Sequence, residues 1–574
     1  MPSFSNLELR ELPLSLGFVR ERAERFLAAC GLRLDALDYF VGLFAGDDDE
    51  MLGCGGLKGN VLKCVAVKDG LKGEGLANRI VSQLRAKVKE HGYDNALVFT
   101  KPKNEAIFHG LGFRTIGRGE KAMLLESAPR LLEDYTDHLR SLRREGKKGC
   151  IVMNANPFTL GHRRLVEAAA SEVDWLYLLV VSEDCSAFPL SERLEMVRSG
   201  CADIANVVID ETRHYAISAA TFPTYFLKEK NAFAPAQIDL DVRIFADVIA
   251  PALDVNVRFV GSEPFDALTR DYNAALGRLL PPKGVAVREI PRTDGISASA
   301  VRTQPFAKAR ELVPPTTQPY LLAHAAAGAL QAELDTTPKP GLVDRHDAGA
   351  HRDMDYALMV RSIRALRPHF ADVARWGFAG EEASIAELQR MGREAEADML
   401  AATGGVNTHK GALFALGLCI AAAARLLRKN VSLEAQTLSA EIRALALAFA
   451  APTGTHGAEV RAKGHVLGAL ENAQTGYAAL FGSWLPFLRS CAADEAANVR
   501  TFLHILSEID DTNIIYRKGI DEARRVKQEA ADALANFSLD ALERLNKSFI
   551  ERNISPGGAA DMLALTILIA NILI

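Results

Sequence analysis

The stretch Cys150–Arg164, CIVMNANPFTLGHRR, decides the fold of the middle of this 574-residue chain. Its first four residues are apolar, which predicts a buried parallel strand, and Asn154–Pro157 must end that strand because proline has no N–H for a strand ladder. Gly161 then allows a close backbone approach. His162 follows in the first turn of a predicted helix, where free N–H groups and the helix dipole favour an anion. We therefore expect a phosphate site that contains an imidazole.

A second segment, Asp294–Arg302, reads DGISASAVR. Ser297 is a natural N-cap, and Arg302 is predicted in the first turns of the following helix, where the dipole disfavours a cation unless phosphates bind there. TLGH at Thr159–His162 and ISASAVR at Ile296–Arg302 resemble, in the expected order, the [T/H]xGH and ISxSxxR signatures of the adenylyl- and cytidylyltransferase superfamily. For the first motif taken alone, an ordinary strand-turn-helix corner with a capping histidine is the alternative.

Composition restricts the possible classes of protein. The chain has 67 Lys and Arg against 72 Asp and Glu, a net charge of −5, and it is 49% hydrophobic and 24% charged. These values are typical of a soluble globular chain, and its length predicts two to four domains. The charge balance does not indicate nucleic acid or an anionic membrane as partner. The eight cysteines form no CxxC pairs and no export signal is evident, so we expect reduced thiols and a cytoplasmic location.

Residues 1–145 are predicted to form a small α/β domain. A strand at Val61–Val67 is followed by a glycine-containing turn and then by apolar residues at helical spacing, and a second strand is expected at Ala96–Thr100. The glycine turn before the helix, and the pattern NxxxFxxxGF that begins at Asn104, resemble the acetyl-CoA-binding core of the GNAT acyltransferases. The resemblance implies a GNAT-like α/β fold.

Two interpretations of the glycine turn remain open. In an active acetyltransferase, Gly73 and Gly75 present N–H groups to a pyrophosphate. The alternative is a retained fold that docks a pantetheine-bearing partner. This alternative is favoured because Gly70 stands where the family usually has Arg or Gln, and because no acidic residue stands out as a base.

Residues 146–312 alternate strand and helix patterns, which predicts a parallel sheet with right-handed crossovers and a ligand site at the carboxyl ends of its strands. Both signatures lie at such strand ends. Gly261 and Ser262 directly follow an apolar strand and are further nucleotide-binding candidates, whereas Arg193 could equally be a residue of the helix surface. Strands are expected at Cys150–Met153, Trp175–Val181, Val207–Ile209, Val255–Val260 and Val285–Glu289.

Val313–Pro319 is predicted to be a linker, since three prolines in seven residues cannot continue a helix or a central strand. In residues 320–574 alanine-rich periodic segments replace the strand patterns, which predicts an almost all-helical domain. Each of its polar breaks could hold ordinary helix caps, but four together suggest convergence on a magnesium triphosphate. The breaks lie at residues 337–355, 403–411, 510–513 and 555–561.

Longer motifs occur in both halves of the chain. TPKPGLVD, GAHRDMD, GGVNTHKGA and SPGGAADMLALT closely resemble the triphosphoribosyl-dephospho-CoA synthase family over residues 320–574. NANPFTLGH, RFVGSEPF and DGISASAVR, after a GNAT-like N-terminus, resemble [citrate (pro-3S)-lyase] ligase over residues 1–312. The chain thus resembles a fusion of two enzymes that mature citrate lyase. The implied architecture is multidomain, with a GNAT-like α/β domain, a Rossmann-like α/β nucleotidyltransferase domain of the HxGH type and an all-α domain.

For the first half, the resemblance implies that ATP and acetate form acetyl-AMP. The acetyl group then passes to the prosthetic-group thiol on the citrate lyase acyl carrier subunit. His162 and Thr159 would stabilise the α-phosphate, because phosphoryl transfer needs mainly positioning and charge neutralisation. The leaving diphosphate and its Mg²⁺ would be held by Ser297, Ser299 and Arg302. Further contacts to the nucleotide are expected from Asn156, Gly161, Gly261 and Ser262.

For the second half, the resemblance implies that ATP donates its triphosphoribosyl group to 3′-dephospho-CoA and that adenine is released. Lys339 and Lys410 would meet phosphate oxygens, and Asn407 would also contact the nucleotide. His351 or His409 could act as base, although a helix-capping histidine is an equal alternative. Mg²⁺ is expected on some of five carboxylates, of which Asp353 would also serve catalysis. The five are Asp344, Asp353, Asp355, Asp510 and Asp511.

Two other interpretations of the whole chain stay open. The middle domain could be a coenzyme A precursor adenylyltransferase of the same superfamily. Alternatively, the fusion could be a carrier-protein scaffold in which only one half is active.

Overall fold

The chain divides into two compact units, Met1–Gly295 and Ile296–Ile574. The domain boundaries expected near residues 145 and 312 remain predictions. The computed structural model describes residues 7–45, 50–127, 130–182, 186–217, 222–223, 226, 233–262, 267–291, 296–380, 384–449, 467–492, 494 and 496–573.

The first sheet of unit 1 has seven strands in the order β1-β2-β3-β4-β5-β7-β6. They are Leu7–Glu11 (β1), Tyr39–Ala45 (β2), Met51–Lys58 (β3), Val61–Val67 (β4), Leu97–Thr100 (β5), Arg114–Arg118 (β6) and Met123–Glu126 (β7). Neighbouring strands are antiparallel except β4 and β5, which run parallel. The two strands predicted in this part are confirmed as β4 and β5, whereas the other five had no clear sequence signal.

Four helices accompany this sheet. They are Gly17–Ala29 (α1), Leu76–Glu90 (α2), Glu105–Gly110 (α3) and Leu131–Ser141 (α4). The apolar residues with helical spacing form the buried face of α2, which packs on one side of the sheet. That helix is therefore confirmed, and it begins directly after the glycine turn.

The glycine turn lies where two strands separate. β4 and β5 pair only through their first two residues, so the strands diverge toward their carboxyl ends. At Gly70, Gly73 and Gly75 the backbone has positive φ angles of 90°, 96° and 75°, and a Cβ built there would meet no atom within 4 Å. The backbone of the turn is thus open to a ligand.

The second sheet of unit 1 is parallel and has the strand order β10-β9-β8-β11-β12. Its strands are Lys148–Met153 (β8), Trp175–Val180 (β9), Val207–Glu211 (β10), Val257–Gly261 (β11) and Ala286–Ile290 (β12). All five predicted strands are confirmed, and no end differs by more than two residues. The strand order reverses between β8 and β11, and the carboxyl ends at such a switch point are where parallel α/β sheets bind ligands.

Helices connect these five strands. They are Leu160–Ser171 (α5), Leu190–Gly200 (α6), Phe233–Ile244 (α7), Ala250–Leu253 (α8) and Ala267–Leu279 (α9). A π-helical segment, Phe245–Ile249, joins α7 to α8.

Unit 2 is helical, and its described residues contain no strand. Its helices are Ala298–Thr303 (α10), Phe306–Ala309 (α11), Gln318–Asp335 (α12), Tyr356–Ala379 (α13), Ile385–Ala402 (α14), Lys410–Arg428 (α15), Ala435–Leu447 (α16), Ala469–Gln474 (α17), Leu485–Ser490 (α18), Ala497–Glu508 (α19), Thr512–Lys518 (α20), Ile520–Ala535 (α21), Leu539–Arg552 (α22) and Gly557–Ile572 (α23). The expected linker is partly helical, because α12 already begins at Gln318 and Pro319 fits its first turn, where no N–H is required.

Helix α15 forms the centre of unit 2. Of its 19 residues 14 are buried, and helices α12, α13, α16 and α23 pack around it. By length and composition α15 could cross a membrane, but 78% of its most apolar window is buried inside the structure. A core helix of a globular unit has the same properties.

Candidate active sites

The first predicted site follows β8, where Thr159 caps α5. The Thr159 hydroxyl accepts the His162 N–H at 3.2 Å, and the Thr159 N–H donates to Nδ1 of His162 at 3.1 Å, so the two residues cap each other. The ring of Phe158 stacks on the imidazole with 5.9 Å between centroids. These contacts hold the histidine at the helix N-terminus, as the sequence predicted.

The reciprocal cap also fixes the tautomer of His162. Because Nδ1 accepts a backbone N–H, the proton of the neutral ring must be on Nε2. The imidazole can therefore donate a hydrogen bond at a helix end that already favours an anion. Thr159 is 2% exposed and its hydroxyl is used in the cap, so it positions His162.

A buried arginine organises the loops around this site. Arg193 of α6 is fully buried and donates to the carbonyls of Asn154, Val181 and Phe188 at 2.9, 2.6 and 2.9 Å. It thereby links the ends of β8 and β9 to the start of α6. The interpretation of Arg193 as a helix surface residue is wrong, because the side chain is buried. Its hydrogen bonds to three loop carbonyls position the loops around the site.

Asn156 belongs to the same loop arrangement. Its side-chain oxygen accepts the Phe188 N–H at 3.1 Å, so this atom fastens the turn after β8 to the segment before α6. A direct contact of Asn156 with a nucleotide stays a prediction.

Gly261 and Ser262 lie at the same edge of the sheet as His162. Arg258 pairs with Cys150 in the parallel register, which aligns Gly261 with Met153 at the end of β8. A Cβ at Gly261 would meet no atom within 4 Å, so the backbone there is open. The switch point of the sheet thus brings Gly161, His162, Gly261 and Ser262 to one edge.

The second signature forms a short helix with the predicted cap. The Ser297 hydroxyl accepts the Ala300 N–H at 3.0 Å, which confirms Ser297 as the N-cap of α10. However, α10 ends at Thr303, so the exposed Arg302 lies in its last turn. The argument that the dipole disfavours Arg302 is therefore wrong, because a helix C-terminus favours a cation.

Arg302 belongs to unit 2, and its charge acts on a histidine of the same unit. Burial, and then the charges of Arg367 and Arg302, lower the pKa of His324 in α12 to about 4. Ser299 is exposed on α10. Since these residues belong to the second unit, their approach to His162 stays a prediction.

A cavity of about 1150 Å³ lies within unit 2. All four polar breaks of the helical sequence contribute residues to the cavity wall, so the expected convergence of the breaks is found. The expected ligand, a magnesium triphosphate, remains a prediction. The lining includes Lys339, His351, Asn407, His409, Lys410, Asp510, Asp511, Ser555, Gly557, Gly558 and Asp561.

Lys339, which was expected to meet phosphate oxygens, is paired with a carboxylate of the protein. Its side chain is 1% exposed, and its ammonium forms an ion pair with the carboxylate of Glu333 and donates to the Glu333 carbonyl at 2.9 Å. Burial raises the pKa of Glu333, and the nearby Lys339 offsets this rise only in part. A phosphate at Lys339 must therefore compete with Glu333 for the ammonium.

His409 is buried beside this pair. Its Nδ1 lies 2.7 Å from the hydroxyl of Ser362, and its Nε2 is buried without a hydrogen-bond partner in the described structure. Burial, and then Lys339, lower the pKa of His409 to about 3. The N-cap of α15 is His409 itself, but its side chain makes no capping hydrogen bond.

Asp561 faces the start of α15. A Cβ at Gly411 would come within 1.9 Å of the Asp561 Oδ2, so only glycine leaves room for this carboxylate. Burial, and then the carboxylates of Glu333 and Asp511, raise the pKa of Asp561 well above its ordinary value, against a hydrogen bond from the Ala412 backbone. The sequence shows the residue in the fourth break but gives it no role.

The five predicted metal ligands are dispersed. Asp511 caps α20 and also accepts the Ala559 N–H at 3.0 Å, and Asp355 caps α13 through the Leu358 N–H. Asp344 is buried and accepts four hydrogen bonds within its own loop. Asp353 is 64% exposed, and Asp510 pairs with Lys527. In the described ranges no three His, Cys, Asp or Glu side chains are grouped to hold a metal ion.

Other predicted residues of the cavity make local contacts. The Lys410 ammonium pairs with Glu396 at 2.5 Å, and the Asn407 side chain accepts the Lys410 N–H at 3.3 Å. The His351 Nε2 lies 2.7 Å from the Ser555 hydroxyl. Burial, and then Arg517, lower the pKa of His351.

Sequence reasoning missed several residues of this cavity or of its immediate support. Arg393 and Arg517 line the wall, and neither forms an ion pair with another described residue. Glu333 and Ser362 are polar residues inside helical segments, and the sequence pattern predicts that such residues face solvent. Only their burial in the folded structure distinguishes them.

Three family profiles match the chain. The profile described as "FR47-like protein" matches residues 40–122, "Citrate lyase ligase C-terminal domain" matches 148–321, and "ATP:dephospho-CoA triphosphoribosyl transferase" matches 319–573.

Curated relatives match each half over most of their length. [Citrate [pro-3S]-lyase] ligase of Klebsiella pneumoniae is 41% identical over 317 residues, which are 53% of this chain and 92% of that protein. The 2-(5''-triphosphoribosyl)-3'-dephosphocoenzyme-A synthase of the same organism is 37% identical over 258 residues, 43% of this chain and 92% of the relative. Among solved structures, pantothenate synthetase from Thermus thermophilus is 15% identical, with a TM-score of 0.23 and coverage of 35% of this chain and 73% of that one.

These matches define a bifunctional enzyme in which a ligase precedes a transferase. The chain belongs to the citrate lyase ligase family over its N-terminal part and to the triphosphoribosyl-dephospho-CoA synthase family over its C-terminal part.

Proposed function

We propose that this chain matures citrate lyase through two reactions that both consume ATP. The first acetylates the prosthetic-group thiol on the citrate lyase acyl carrier subunit through acetyl-AMP and releases AMP and diphosphate. The second joins the triphosphoribosyl group of ATP to 3′-dephospho-CoA and releases adenine. The observation that carries this proposal is that one polypeptide spans 92% of a ligase relative and 92% of a synthase relative. We place the enzyme in the cytoplasm, with neither nucleic acid nor membrane as partner.

The folds proposed for unit 1 follow from its two sheets. Strand order and the switch point support a Rossmann-like nucleotidyltransferase fold for the parallel sheet. The divergence of β4 and β5 beside an open glycine turn supports a GNAT-like fold for the first sheet.

In the ligase reaction, an acetate oxygen attacks the α-phosphorus of ATP and the bond to the diphosphate breaks. His162 donates from Nε2 to an α-phosphate oxygen, where negative charge develops; Thr159 holds the imidazole in place, and Arg193 holds the loop that follows β8. Ser297, Ser299 and Arg302 hold the leaving diphosphate. The carrier thiolate then attacks the acetyl carbon, and AMP leaves with the electron pair of the broken bond.

In the transferase reaction, the bond from the ribose anomeric carbon to N9 of adenine breaks and its electron pair goes to adenine. The acceptor hydroxyl oxygen of dephospho-CoA forms the new bond to that carbon and loses its proton, so adenine leaves as the neutral base after taking up a proton. Asp561 is a buried carboxyl group at the wall, and a positively charged oxocarbenium-like centre beside it would favour its ionised form. The cations Arg393, Lys410 and Arg517 suit the phosphates.

Oxygen ligands on the cavity wall fit Mg²⁺. This ion usually keeps several waters and binds substrate phosphates through one or two carboxylates, so a preformed three-residue group is not required. Asp510 and Asp511 would hold it on the wall. When bound, the ion neutralises phosphate charge.

One assay of the intact chain tests the proposal. We expect AMP and diphosphate when ATP, acetate and the thiol form of the carrier are present, and adenine when ATP and dephospho-CoA are present. AMP formation that responds to phosphopantetheine and not to acetate would select a coenzyme A precursor adenylyltransferase instead. Formation of only one product would show that one half serves as a scaffold.

The open glycine turn supports a second role, the docking of the pantetheine-like arm of the carrier. Gly73→Glu places a charged side chain in the opening, so we expect it to lower acetyl transfer to the carrier and to leave acetate-dependent ATP–diphosphate exchange unchanged. Gly31→Glu is the matched control, because Gly31 also has a positive φ, of 71°, and open space around it. Equal transfer by both variants would remove this role.

A further inference from the structure

One polar atom on the wall of the cavity in unit 2 lacks a partner. His409 is 3% exposed, it is one of the residues that line the cavity, and its buried Nε2 forms no hydrogen bond with a described residue. Buried polar atoms are nearly always hydrogen-bonded, so an orphaned one at a cavity wall indicates an atom that a ligand supplies.

Neighbouring hydroxyl groups determine which nitrogen carries the proton. The Thr408 hydroxyl donates to Ser362 Oγ at 2.7 Å, and the single hydroxyl hydrogen of Ser362 is then given to Nδ1 of His409 at 2.7 Å. Ser362 is fully buried on α13, so water does not compete in this relay. Nδ1 is the acceptor, and Nε2 therefore bears the hydrogen.

The charged groups nearby keep the ring neutral. Burial and the ammonium of Lys339 lower the pKa of His409 to about 3, and Glu333 lies behind Lys339 as its ion-pair partner. On α23, the pKa of Asp561 is raised by burial and then by the charge of Glu333, and on α14 the sulfur of Met399 accepts the His409 backbone N–H at 3.4 Å. A neutral ring with so low a pKa is a poor general base.

The positions of the cations indicate where the phosphates and where the base of a nucleotide would bind in the cavity. The side chain of Lys410 is 51% exposed, and Arg393 and Arg517 are also exposed where they line the cavity. These groups suit charged phosphates. A buried neutral donor such as His409 suits an uncharged base, because the nearby ammonium of Lys339 is already paired with Glu333 and a phosphate buried there would have no cation of its own.

We infer that His409 is the hydrogen-bond donor to the departing adenine, with Nε2–H bonded to a ring nitrogen of the base and Ser362 as the positioning residue that fixes the tautomer. This inference rests on the proposed triphosphoribosyl transfer. As the bond to N9 breaks, adenine gains negative charge, so the hydrogen bond strengthens in the transition state. The hydrogen stays on Nε2, and His409 forms no covalent bond.

Deaza analogues of ATP identify the acceptor atom. 1-Deaza-, 3-deaza- and 7-deaza-ATP each lack one ring nitrogen of adenine. With ATP we expect His409→Ala to lower kcat for adenine release about 10²–10³-fold with little change in KM, and His409→Gln, which keeps an N–H, to recover part of the loss. For one analogue the wild type and His409→Ala should react equally. An unchanged His409→Ala effect with all three analogues would overturn the inference.

The positioning role of Ser362 has its own comparison. Ser362→Ala removes the hydroxyl that holds Nδ1, so we expect a lower kcat for adenine release. This kcat should stay low at every pH between about 6 and 8. Thr501→Val is the matched control, since it removes an equally buried hydroxyl on α19 that, among the described residues, donates to the Ala497 carbonyl alone. Equal kcat values for the two variants would contradict the role of Ser362.

Nitrogen NMR of the full chain reads the tautomer independently of turnover. The chain has 13 histidines, so the His409 signals are assigned as those missing in His409→Gln. We expect a protonated Nε2 and an unprotonated Nδ1 between about pH 6 and 8, and an Nε2 signal that moves when ATP is added. A protonated Nδ1, or an Nε2 signal that ATP leaves in place, would overturn the inference. Absence of adenine release by the wild type would instead refute the proposed function.

Discussion

Two histidines of this chain reach the same protonation state through different contacts. Nδ1 of His162 accepts a backbone N–H, whereas Nδ1 of His409 accepts a hydroxyl, and both rings therefore carry their proton on Nε2. A proton in that position makes each ring a donor to a developing negative charge. In both proposed sites the same chemical group, a neutral imidazole with its N–H on Nε2, is thus the proposed donor to the nucleotide.

Loss of the His162 donor should affect only the ligase reaction. We expect His162→Ala to lower acetate-dependent ATP–diphosphate exchange about 10²–10³-fold, because a donor to the developing charge is removed. His162→Gln keeps an N–H and should retain more activity. Adenine release is the internal control and should be unchanged. Exchange that persists at the wild-type rate in His162→Ala would contradict the assignment.

A single added methyl group should test the place of Asp561. Gly411→Ala puts a Cβ 1.9 Å from the Asp561 Oδ2, so the carboxylate must move away from the start of α15. Misplacement of about 1 Å costs about 100-fold in rate, which we expect for adenine release. Gly328→Ala is the control, since Gly328 is an exposed helical residue with open space around it. Wild-type adenine release by Gly411→Ala would show that Asp561 is not needed at that position.

Single residues were predictable where a local rule applies. Ser297 as N-cap and His162 at a helix N-terminus follow from capping and dipole rules, and both are found. The ion pair of Glu333 with Lys339 could not be predicted, because it joins a helical residue to a loop through burial. A carboxylate within an alanine-rich helix has no local signal for that role.

Whole elements were predicted well where they are apolar and continuous. The strands of the parallel sheet have this pattern, which is typical of strands buried on both faces. β3 was missed because it contains Gly53 and Gly55, and glycine is depleted in strands. The structure explains both glycines, since a Cβ at either position would lie 2.7 or 2.8 Å from Ile80 of α2. Close packing of a helix on a strand therefore overrides strand propensity.

The length of a helix can reverse an electrostatic argument. Arg302 was placed in the first turns of a helix of unknown length, but α10 has only six residues and Arg302 lies in its last turn. The sequence does not mark this end clearly, because Gln304 and Pro305 follow without a glycine. A dipole argument about a charged residue therefore requires the observed position of the helix end.

The link between α12 and the loop after it should depend on a buried ion pair. Lys339→Met leaves the Glu333 carboxylate without its partner, which we expect to lower the free energy of unfolding of unit 2 by about 3–5 kcal/mol. Lys339→Met with Glu333→Gln should recover much of this loss. Lys308→Met, at an exposed lysine, is the control. Thermal unfolding of the full chain, followed by the helical circular dichroism signal, measures the effect.

The pH dependence of that variant has a defined sign. Burial raises the pKa of Glu333 above its ordinary value of 4.5, and loss of Lys339 raises it further. Above pH 4.5 the folded state then binds one more proton than the unfolded state. The free energy of unfolding should therefore fall as pH rises, by up to about 1.4 kcal/mol per pH unit until the raised pKa is passed. A loss of stability on acidification over the same range would contradict this assignment.

At the scale of the whole molecule, the chain joins a ligase to a transferase, and the two proposed reactions cleave different bonds of ATP. The site residues proposed for adenine release all lie in unit 2, and His162 lies in unit 1. Changes at His162 and changes at the adenine-release residues, which belong to different units, are therefore expected to act independently, whereas Ser297, Ser299 and Arg302 belong to the same unit as the cavity.

Separate failure of the two activities is the expected result. His162→Ala should lose acetate-dependent exchange alone, and Asp561→Asn should lose adenine release alone. A mixture of these two variants should regain both activities, whereas one chain with both changes should have neither. Loss of both activities in a single variant would indicate coupling of the sites or misfolding, which the circular dichroism spectrum distinguishes.

The central position of α15 has a consequence during synthesis. One of the helices that covers it, α23, begins roughly 130 residues after α15 ends. At about 5–20 residues per second, a ribosome needs on the order of ten seconds to make that distance. Throughout this interval a helix apolar enough for a bilayer has an uncovered side in the nascent chain. Holdase chaperones are thus expected to meet this enzyme early, and slower translation should increase its capture by membranes or by aggregates.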